Sequence, residues 1–309
     1  MPDPNRTQST APGGTYKLAG REVARIGFGA MQLPGPGVWG PPRDRDTALA
    51  VLRRAVGLGV NHIDTAQFYG DGVANELIRA ALHPYPENLV LVSKVGAERD
   101  AGGGWIPAQC PEQLRAGVEA NLRTLGTGQI GVVNLRLLDE VPHRGPLPDD
   151  QKVDLDSQLA EMATLRDEGK IGGIGVSTVT IAQLRQALPA GLACVQNAYS
   201  LLDRSGEPLL DLCHKHDVAW VPYFPLGSAF PGMPKVSEHP AVIEAARALG
   251  ATSAQVGLAW LLAHDPGTLL IPGTSSLGHL EENIATASIR LDPATMDILN
   301  GLADPATAD

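Results

Sequence analysis

Three side chains that can donate or stabilise a proton occur near the ends of two successive strand-like runs. Asp64 ends the run 60–64, Tyr69 follows it closely, and Lys94 ends the run 89–94. An ammonium beside a phenol stabilises the phenolate and lowers the pKa of the phenol, and a carboxylate keeps that ammonium charged and oriented. The three residues therefore predict a proton-donating device in which Tyr69 is the general acid.

Such a device requires a scaffold that brings the carboxyl ends of these strands together. After a short hairpin in residues 15–26, strand-like apolar runs alternate with segments of helical spacing about eight times. This order favours an α/β fold, a closed (β/α)8 TIM barrel whose strand ends point into one pocket. An open doubly wound sheet is the alternative, although no GxGxxG motif follows the first strand.

The length of the chain suits one large domain. Residues 1–14 are polar and rich in Pro, Thr and Gly, and we expect a disordered tail there and a single barrel domain over residues 15–309. The tail lacks the apolar core of a signal peptide. No apolar run reaches the roughly 18 residues that a membrane span needs. These features predict a cytoplasmic protein without a membrane partner.

Charge and cysteine usage exclude several classes of function. The formal net charge is -10, so a broad nucleic-acid surface is not expected. Cys110, Cys194 and Cys213 share no short metal-type spacing, and neither a disulfide framework nor a metal site is predicted. The expected partner is a small molecule, and the oligomeric state is left open.

Several short motifs, in their order and spacing, resemble the aldo-keto reductase family over about residues 16–302. They are Gly59-Val60-Asn61-His62-Ile63-Asp64-Thr65-Ala66 with Tyr69-Gly70, Val92-Ser93-Lys94, Gly173-Ile174-Gly175-Val176-Ser177, Val195-Gln196-Asn197, Pro225-Leu226-Gly227, and Ile271-Pro272-Gly273-Thr274-Ser275-Ser276 with Leu280-Glu281-Glu282-Asn283. The resemblance implies a barrel that binds a nicotinamide cofactor across its C-terminal mouth. It also implies that Asp64, Tyr69 and Lys94 are three members of a catalytic tetrad.

The fourth member of that tetrad is a His at the end of strand four, where this chain has Arg136. A neutral His can accept or donate, whereas Arg keeps its charge and only donates. We therefore expect Arg136 to polarise a carbonyl, favour an ionised Tyr69 or bind an anionic substrate group, and not to act as a base. The segments 29–33, 40–45, 133–136 and 222–227 further resemble a subset of the family, the bacterial pyridoxal reductases.

The same resemblance implies a set of cofactor-binding residues and points to NADPH. Ser177 and Gln196 would hold the nicotinamide carboxamide, with Thr178 in the place where the family usually has Asn, and Tyr223 would stack on the nicotinamide ring. The remaining positions are Gly29 and Met31, then Leu226, Gly227 and Ser228 along the pyrophosphate, Gly273, Thr274 and Ser275 before a phosphate-binding helix end, His279 in the same region, and Glu282 and Asn283 at the adenine.

Three aromatic residues lie in loops that are expected to ring the mouth of the barrel. An aromatic wall made of Trp39, Phe68 and Trp105 would suit a flat ring, and ordinary loop packing is the alternative. The leading hypothesis is an NADPH-dependent reductase of an aromatic aldehyde such as pyridoxal, converting it to pyridoxine. The alternatives are a natural-product reductase, dehydrogenase or epimerase acting on a bulkier substrate, and a cofactor-binding sensor or partner with little catalysis.

Overall fold

The computed structural model describes residues 11–138, 145–227 and 234–302. The described strands are short, as expected when helices cover the outside of a parallel sheet. In chain order they are β1 (Thr15–Leu18), β2 (Arg21–Ala24), β3 (Phe28–Gly29), β4 (His62–Asp64), β5 (Val90–Val95), β6 (Ala97–Arg99), β7 (Trp105–Pro107), β8 (Val132–Arg136), β9 (Ile174–Ser177), β10 (Leu192–Gln196) and β11 (Ala219–Trp220).

One parallel sheet closes on itself and confirms the predicted barrel. Seven strands pair in the order β11-β10-β9-β8-β5-β4-β3. The segment 267–271 supplies the eighth. On one side the Leu270 amide donates to the Arg25 carbonyl at 2.8 Å, and on the other the Leu269 amide donates to the Trp220 carbonyl at 2.8 Å. Because these bonds join the two ends of the sheet, the open-sheet alternative is wrong.

The helices lie outside the barrel, and several of them begin at a residue whose side chain caps the helix. They are α1 (Arg45–Gly57), α2 (Val73–Leu82), α3 (Pro111–Leu125), α4 (Leu155–Asp167), α5 (Ile181–Ala187), α6 (Glu207–Lys215), α7 (Pro240–Leu249), α8 (Ser253–His264), α9 (Leu277–Ala285) and α10 (Pro293–Asn300). Pro111 opens α3 at its first turn, and the Asp292 carboxylate caps α10 by accepting from the Thr295 amide at 2.7 Å. Helices α7 and α10 are additions to the eight-fold repeat and pack on each other.

The hairpin β1–β2 closes the N-terminal end of the barrel. Its side chains Leu18 and Val23 are buried in one apolar cluster with Val92 of β5. Residues 11–14 join this end, because the Arg25 amide donates to the Gly14 carbonyl at 2.9 Å. The part of the expected tail that the structure describes is therefore bonded to the barrel, and the first ten residues lie outside the described ranges.

A second hairpin, β6–β7, rises from the end of β5 and was not predicted. Its turn is held by the Asp100 carboxylate, which accepts from the Gly102 amide at 2.8 Å and from the Gly104 amide at 2.7 Å. This hairpin carries Arg99 and Trp105 to the C-terminal end of the barrel. Within the three described ranges, no helix is both long enough and apolar enough to cross a bilayer.

Candidate active site

A buried ion pair lies at the C-terminal ends of β4 and β5. Asp64 and Lys94 are 3% and 6% exposed, and the Lys94 ammonium contacts the Asp64 carboxylate directly. The same ammonium donates to the Thr65 carbonyl at 3.1 Å. Burial on its own lowers the pKa of Lys94, but the charge of Asp64 and the neighbouring Tyr69 outweigh it, so that the pKa of Lys94 is raised. The amine is therefore kept as a cation.

Tyr69 packs against this ion pair from the loop that follows β4. Its side chain is buried, and the Lys94 nitrogen lies 5.1 Å from the centre of its ring. A turn closed by the Tyr69 amide and the Ala66 carbonyl, at 3.0 Å, places the ring there. The structure thus brings the three residues of the predicted device into one group.

Arg136 lies at the end of β8, the fourth strand of the barrel, and aromatic side chains surround it. Asn134, two residues earlier, is in register with Lys94 on the neighbouring strand, so Arg136 stands one step closer to the mouth. Its guanidinium carbon lies 5.3 Å from the Trp105 ring and 5.8 Å from the Phe68 ring. The Nε atom is buried and has no hydrogen-bond partner among the described residues.

The two rings beside Arg136, Phe68 and Trp105, pack on each other, and Phe68 also packs on Tyr69. The centres of Phe68 and Trp105 are 4.9 Å apart in an edge-to-face arrangement, and those of Phe68 and Tyr69 are 5.4 Å apart. Two of the three predicted pocket aromatics therefore form a continuous wall with the proposed acid. Trp39 lies further out and is 36% exposed.

Arg99 fastens three loops around this aromatic wall. Its guanidinium donates to the carbonyls of Phe68 at 3.0 Å, of Gly103 at 2.7 Å and of Val38 at 2.9 Å. It also lies 3.7 Å from the Trp105 ring centre and 5.7 Å from that of Trp39. Stacking of the guanidinium on the indole rings strengthens this contact. The loops that follow β3, β4 and β6 are therefore joined at Arg99.

Beneath the ion pair, Gln196 is oriented by Asp64. The Gln196 Nε2 group donates to the second Asp64 carboxylate oxygen at 2.7 Å, which leaves Oε1 buried without a partner among the described residues. Ser177 is 2% exposed, and its hydroxyl lies 3.4 Å from that of Thr178. The Tyr223 hydroxyl is 3.5 Å from the same Thr178 oxygen. Four residues expected at the nicotinamide are thus found in one cluster.

Thr178 adopts a backbone conformation that its side chain disfavours. Its φ angle is +62°, in the left-handed region that a β-branched residue rarely occupies. Its amide donates to the Gln196 carbonyl at 3.0 Å, and this bond helps to hold the strained turn. The strain gives a physical reason for the Asn of the resembling family, because Asn tolerates this conformation better.

One segment expected to hold the phosphates runs from residues 267–271, the eighth strand of the barrel, into α9. Gly273 and Gly29 pass so closely that a Cβ on Gly273 would lie 2.6 Å from the Gly29 carbonyl oxygen. The Thr274 hydroxyl accepts from the Ser276 amide at 3.0 Å, and Ser276 caps α9. Ser275, His279 and Glu282 are exposed, whereas Met31 and Asn283 are half-buried. The predicted helix end is present, at Leu277.

The other expected phosphate segment follows β11. Leu226 accepts at its carbonyl from the Val236 amide at 3.1 Å, and a Cβ on Gly227 would lie 2.1 Å from the Pro234 carbonyl oxygen. Only glycine fits where these two stretches of backbone meet. Ser228, also predicted in this segment, lies outside the described residues.

Comparison with known proteins decides which family has this arrangement. The model of the Aldo/keto reductase family matches residues 25–304. The chain belongs to the aldo/keto reductase family. The prediction of an oxidoreductase with an aldo-keto reductase barrel is therefore confirmed.

Relatives of this aldo-keto reductase cover nearly its whole length. Pyridoxine 4-dehydrogenase of Escherichia coli (strain K12) is 43% identical over 290 residues, which are 94% of this chain and 98% of that protein. A thermostable aldo-keto reductase in complex with the inhibitor epalrestat has a TM-score of 0.77 at 29% identity, covering 93% of this chain and 99% of the other. An aldo/keto reductase from Klebsiella pneumoniae, in complex with NADP and acetate, has a TM-score of 0.75 at 29% identity, covering 93% and 94%.

A buried polar network behind the catalytic strands escaped sequence analysis. The Thr65 hydroxyl donates to Asn75 of α2 at 2.9 Å, and Asn75 donates to Asn121 of α3 at 2.9 Å. Asn121 also accepts from the hydroxyl of Ser93, the residue before Lys94. These side chains are all buried and tie β4 and β5 to their helices. The available signal was polar residues at otherwise apolar positions of α2 and α3, and it is a weak one.

His62 lies in the interior of the reductase barrel and away from the mouth. The ring is 1% exposed and packs on Gly27, where a Cβ would lie 2.1 Å from its Nε2 atom. Burial lowers the pKa of His62 to about 4 against a smaller opposing effect of the Ala24 backbone. With Cys194 and Asp64 it lines a small cavity between the hairpin and the ion pair. It is therefore a neutral core residue below the site.

Proposed function

We propose that this chain is an NADPH-dependent reductase of aromatic aldehydes, with pyridoxal as the model substrate and Tyr69 as the general acid. The observation that carries the proposal is the buried Lys94–Asp64 ion pair beside Tyr69 at the C-terminal end of the barrel. The E. coli relative is named a pyridoxine 4-dehydrogenase, and the Klebsiella relative was crystallised with NADP; both agree with this choice.

The residues around Gln196 suit a nicotinamide. The buried Gln196 Oε1, to which no described residue donates, would accept from the amide N–H of a carboxamide, since the Nε2 end of the side chain donates to Asp64. Ser177 would complete this contact, and Tyr223 would lie against the ring. When bound, NADPH supplies the hydride that reduces the carbonyl carbon.

The phosphates would be held by the glycine-rich segments at the barrel rim. Backbone N–H groups of residues 273–276 and the positive end of α9 suit an anion. Leu226 and Gly227, with Ser228, would follow the pyrophosphate. Ser275 and His279, both exposed beside the helix end, would bind the 2′-phosphate, while Glu282 and Asn283 would contact the adenine.

The proton comes from the chain itself. When the carbonyl carbon is reduced, the carbonyl oxygen would take the Tyr69 proton to give an alcohol. Lys94 stabilises the phenolate left behind, and Asp64 keeps the ammonium in place. Solvent returns a proton to Tyr69 after the alcohol leaves. Arg136 would polarise or orient the carbonyl, because its guanidinium only donates.

The decisive experiment follows the oxidation of NADPH with pyridoxal in wild type and Tyr69→Phe. The variant keeps the ring and removes the proton, so we expect kcat to fall by roughly 10²- to 10⁴-fold. Binding of NADPH, measured by fluorescence titration, should stay within about twofold. The matched control is Tyr85→Phe, which removes a hydroxyl bonded to the Leu125 carbonyl at 2.6 Å far from the ion pair.

Two outcomes would contradict the proposal. Full activity in Tyr69→Phe would remove Tyr69 as the acid. Tight NADPH binding by wild type, without turnover of pyridoxal or of any other aromatic aldehyde, would favour the sensor alternative instead.

A further inference from the structure

Arg136 differs from Lys94 in that no carboxylate or carbonyl among the described residues pairs with its charge. Lys94 contacts a carboxylate and a carbonyl. Arg136 forms no ion pair with any carboxylate in the ranges that the structure describes, and its Nε atom is buried without a hydrogen bond. A buried donor that lacks a partner is costly, so a ligand that supplies an acceptor there gains affinity.

The position of Arg136 limits what that acceptor is. Phe68 connects the Arg136 guanidinium to the Tyr69 ring, with separations of 5.8 Å and 5.4 Å. A substrate whose carbonyl oxygen meets the Tyr69 hydroxyl would therefore extend along Phe68 towards Arg136. The half-buried Trp105 ring, with the buried Phe68 ring packed edge-to-face against it, favours an aromatic ring in that place. A group on the ring carbon next to the aldehyde would supply such an acceptor.

Building on the proposed function, we propose that Arg136 binds an ionised hydroxyl ortho to the aldehyde. The preferred substrates are then 2-hydroxy aromatic aldehydes in their phenolate form, such as 3-hydroxypyridine-4-carbaldehydes, the group to which pyridoxal belongs. The planar guanidinium presents a fork of N–H donors, one for the carbonyl oxygen and one for the neighbouring oxyanion. Neither a neutral His nor a Lys presents two donors in this fixed geometry.

The test compares three aldehydes that differ at one ring position. They are pyridine-4-carbaldehyde, its 3-hydroxy derivative and its 3-methoxy derivative, each assayed with NADPH under saturating cofactor. The measured quantity is the ratio of kcat/KM for the hydroxy compound to that for the unsubstituted compound. In wild type we expect this ratio to exceed the corresponding methoxy ratio by roughly 10- to 100-fold, the usual range for a hydrogen bond to a charged group.

The matched variants are Arg136→Gln, Arg136→Lys and, as control, Arg43→Gln. Arg136→Gln should reduce the hydroxy ratio to within about threefold of the methoxy ratio. Arg136→Lys, which keeps the charge and loses the fork, should retain an intermediate ratio. Arg43 is an exposed cation in the loop before α1, so its removal should leave the ratio as in wild type. Any effect of Arg136 on the carbonyl itself changes every substrate and cancels in the ratio.

The outcomes separate this inference from the proposed function. Equal ratios for hydroxy and methoxy compounds in wild type, or a hydroxy preference that persists in Arg136→Gln, would overturn the role of Arg136 while pyridoxal reduction through Tyr69 still stands. The absence of turnover with every aldehyde, pyridoxal included, would instead contradict the proposed function. Circular dichroism melting curves establish that both Arg136 variants are folded before the ratios are compared.

Discussion

Arg25 and Arg136 stand at opposite ends of the same barrel and are used in opposite ways. Arg25 lies just before β3, where the segment 267–271 closes the barrel. Its guanidinium donates to the carbonyls of Leu262 at 2.9 Å, Asp265 at 2.7 Å and Thr268 at 3.1 Å. Arg136 lies at the mouth between two aromatic rings, and its Nε atom has no partner among the described residues.

The difference shows that the two ends of the barrel have different roles, stability at one end and function at the other. At the N-terminal end the Arg25 guanidinium donates to three carbonyls at the end of α8 and in the segment 267–271, so this side chain helps to fix the closure of the barrel. At the C-terminal end an unmatched donor is retained in a pocket, a cost to the folded state that a substrate can offset. In barrels of this type the C-terminal face carries the chemistry and the opposite face carries stability.

The buried Lys94–Asp64 ion pair at the mouth should contribute to both stability and activity, unlike the rest of that end. Replacing Lys94 by Met leaves the Asp64 carboxylate buried without its cation, and we expect unfolding free energy to fall by about 3–5 kcal/mol. Aldehyde reduction should be lost as well. The double variant Lys94→Met with Asp64→Asn should regain most of the stability in urea unfolding but none of the activity, because no buried charge remains and Tyr69 has lost its ammonium. If the double variant is no more stable than Lys94→Met, an unpaired carboxylate is not the cause of the loss.

Removing Arg25 should have the complementary effect at the other end. Arg25→Ala deletes three charge-assisted bonds and leaves their carbonyls to water, so we expect a loss of about 2–4 kcal/mol in unfolding free energy. The kinetic constants at 25 °C should stay within about twofold of wild type. Arg53→Ala is the control, because Arg53 is exposed and makes one long bond to a carbonyl at 3.3 Å. Its effect should be within about 0.5 kcal/mol. A large change in KM for Arg25→Ala would show that the two ends are coupled.

Much of the scaffold was predictable because it depends on local chemistry. Pro111 and Asp292 announce the starts of α3 and α10 through capping and fixed backbone angles. Alternating short apolar runs and amphipathic segments indicate a covered parallel sheet. The meeting of Asp64 with Lys94 follows from this scaffold, because neighbouring parallel strands end on the same side.

What was missed depends on contacts between distant segments. The bonds of Arg99 to the carbonyls of Val38 and Phe68 join loops that follow different strands, and nothing in the local sequence around Arg99 indicates them. The commitment of Gln196 to Asp64 is similar, since 132 residues separate the two. The hairpin that carries Arg99 had a local signal, Asp100 and Ala101 followed by three glycines, but its strands have only three residues each.

The buried His62 should make the free energy of unfolding depend on pH. The pKa of His62 is about 4 in the folded protein because of burial, below its ordinary value of 6.5. The unfolded chain therefore binds one more proton between these values, and stability should fall as the pH is lowered from 6.5 towards 4. The slope from this one group is at most about 1.4 kcal/mol per pH unit. In His62→Leu that part of the slope should vanish, as measured by urea unfolding at several pH values. An unchanged slope would mean that His62 is not buried as a neutral ring.

The smallest expected effect compares backbone strain at the two ends. Thr178 at the mouth and Ala19 in the β1–β2 turn both have positive φ angles, +62° and +48°. Because Asn tolerates the left-handed region, Thr178→Asn and Ala19→Asn should each stabilise the fold by roughly 1 kcal/mol. Only Thr178→Asn should also change KM for NADPH, since its hydroxyl lies 3.4 Å from that of Ser177 and 3.5 Å from that of Tyr223. Thermal melting and steady-state kinetics of both variants measure the two effects. If Thr178→Asn is less stable than wild type, these hydroxyl contacts outweigh the strain; if Ala19→Asn changes KM, the hairpin end is not independent of the cofactor site.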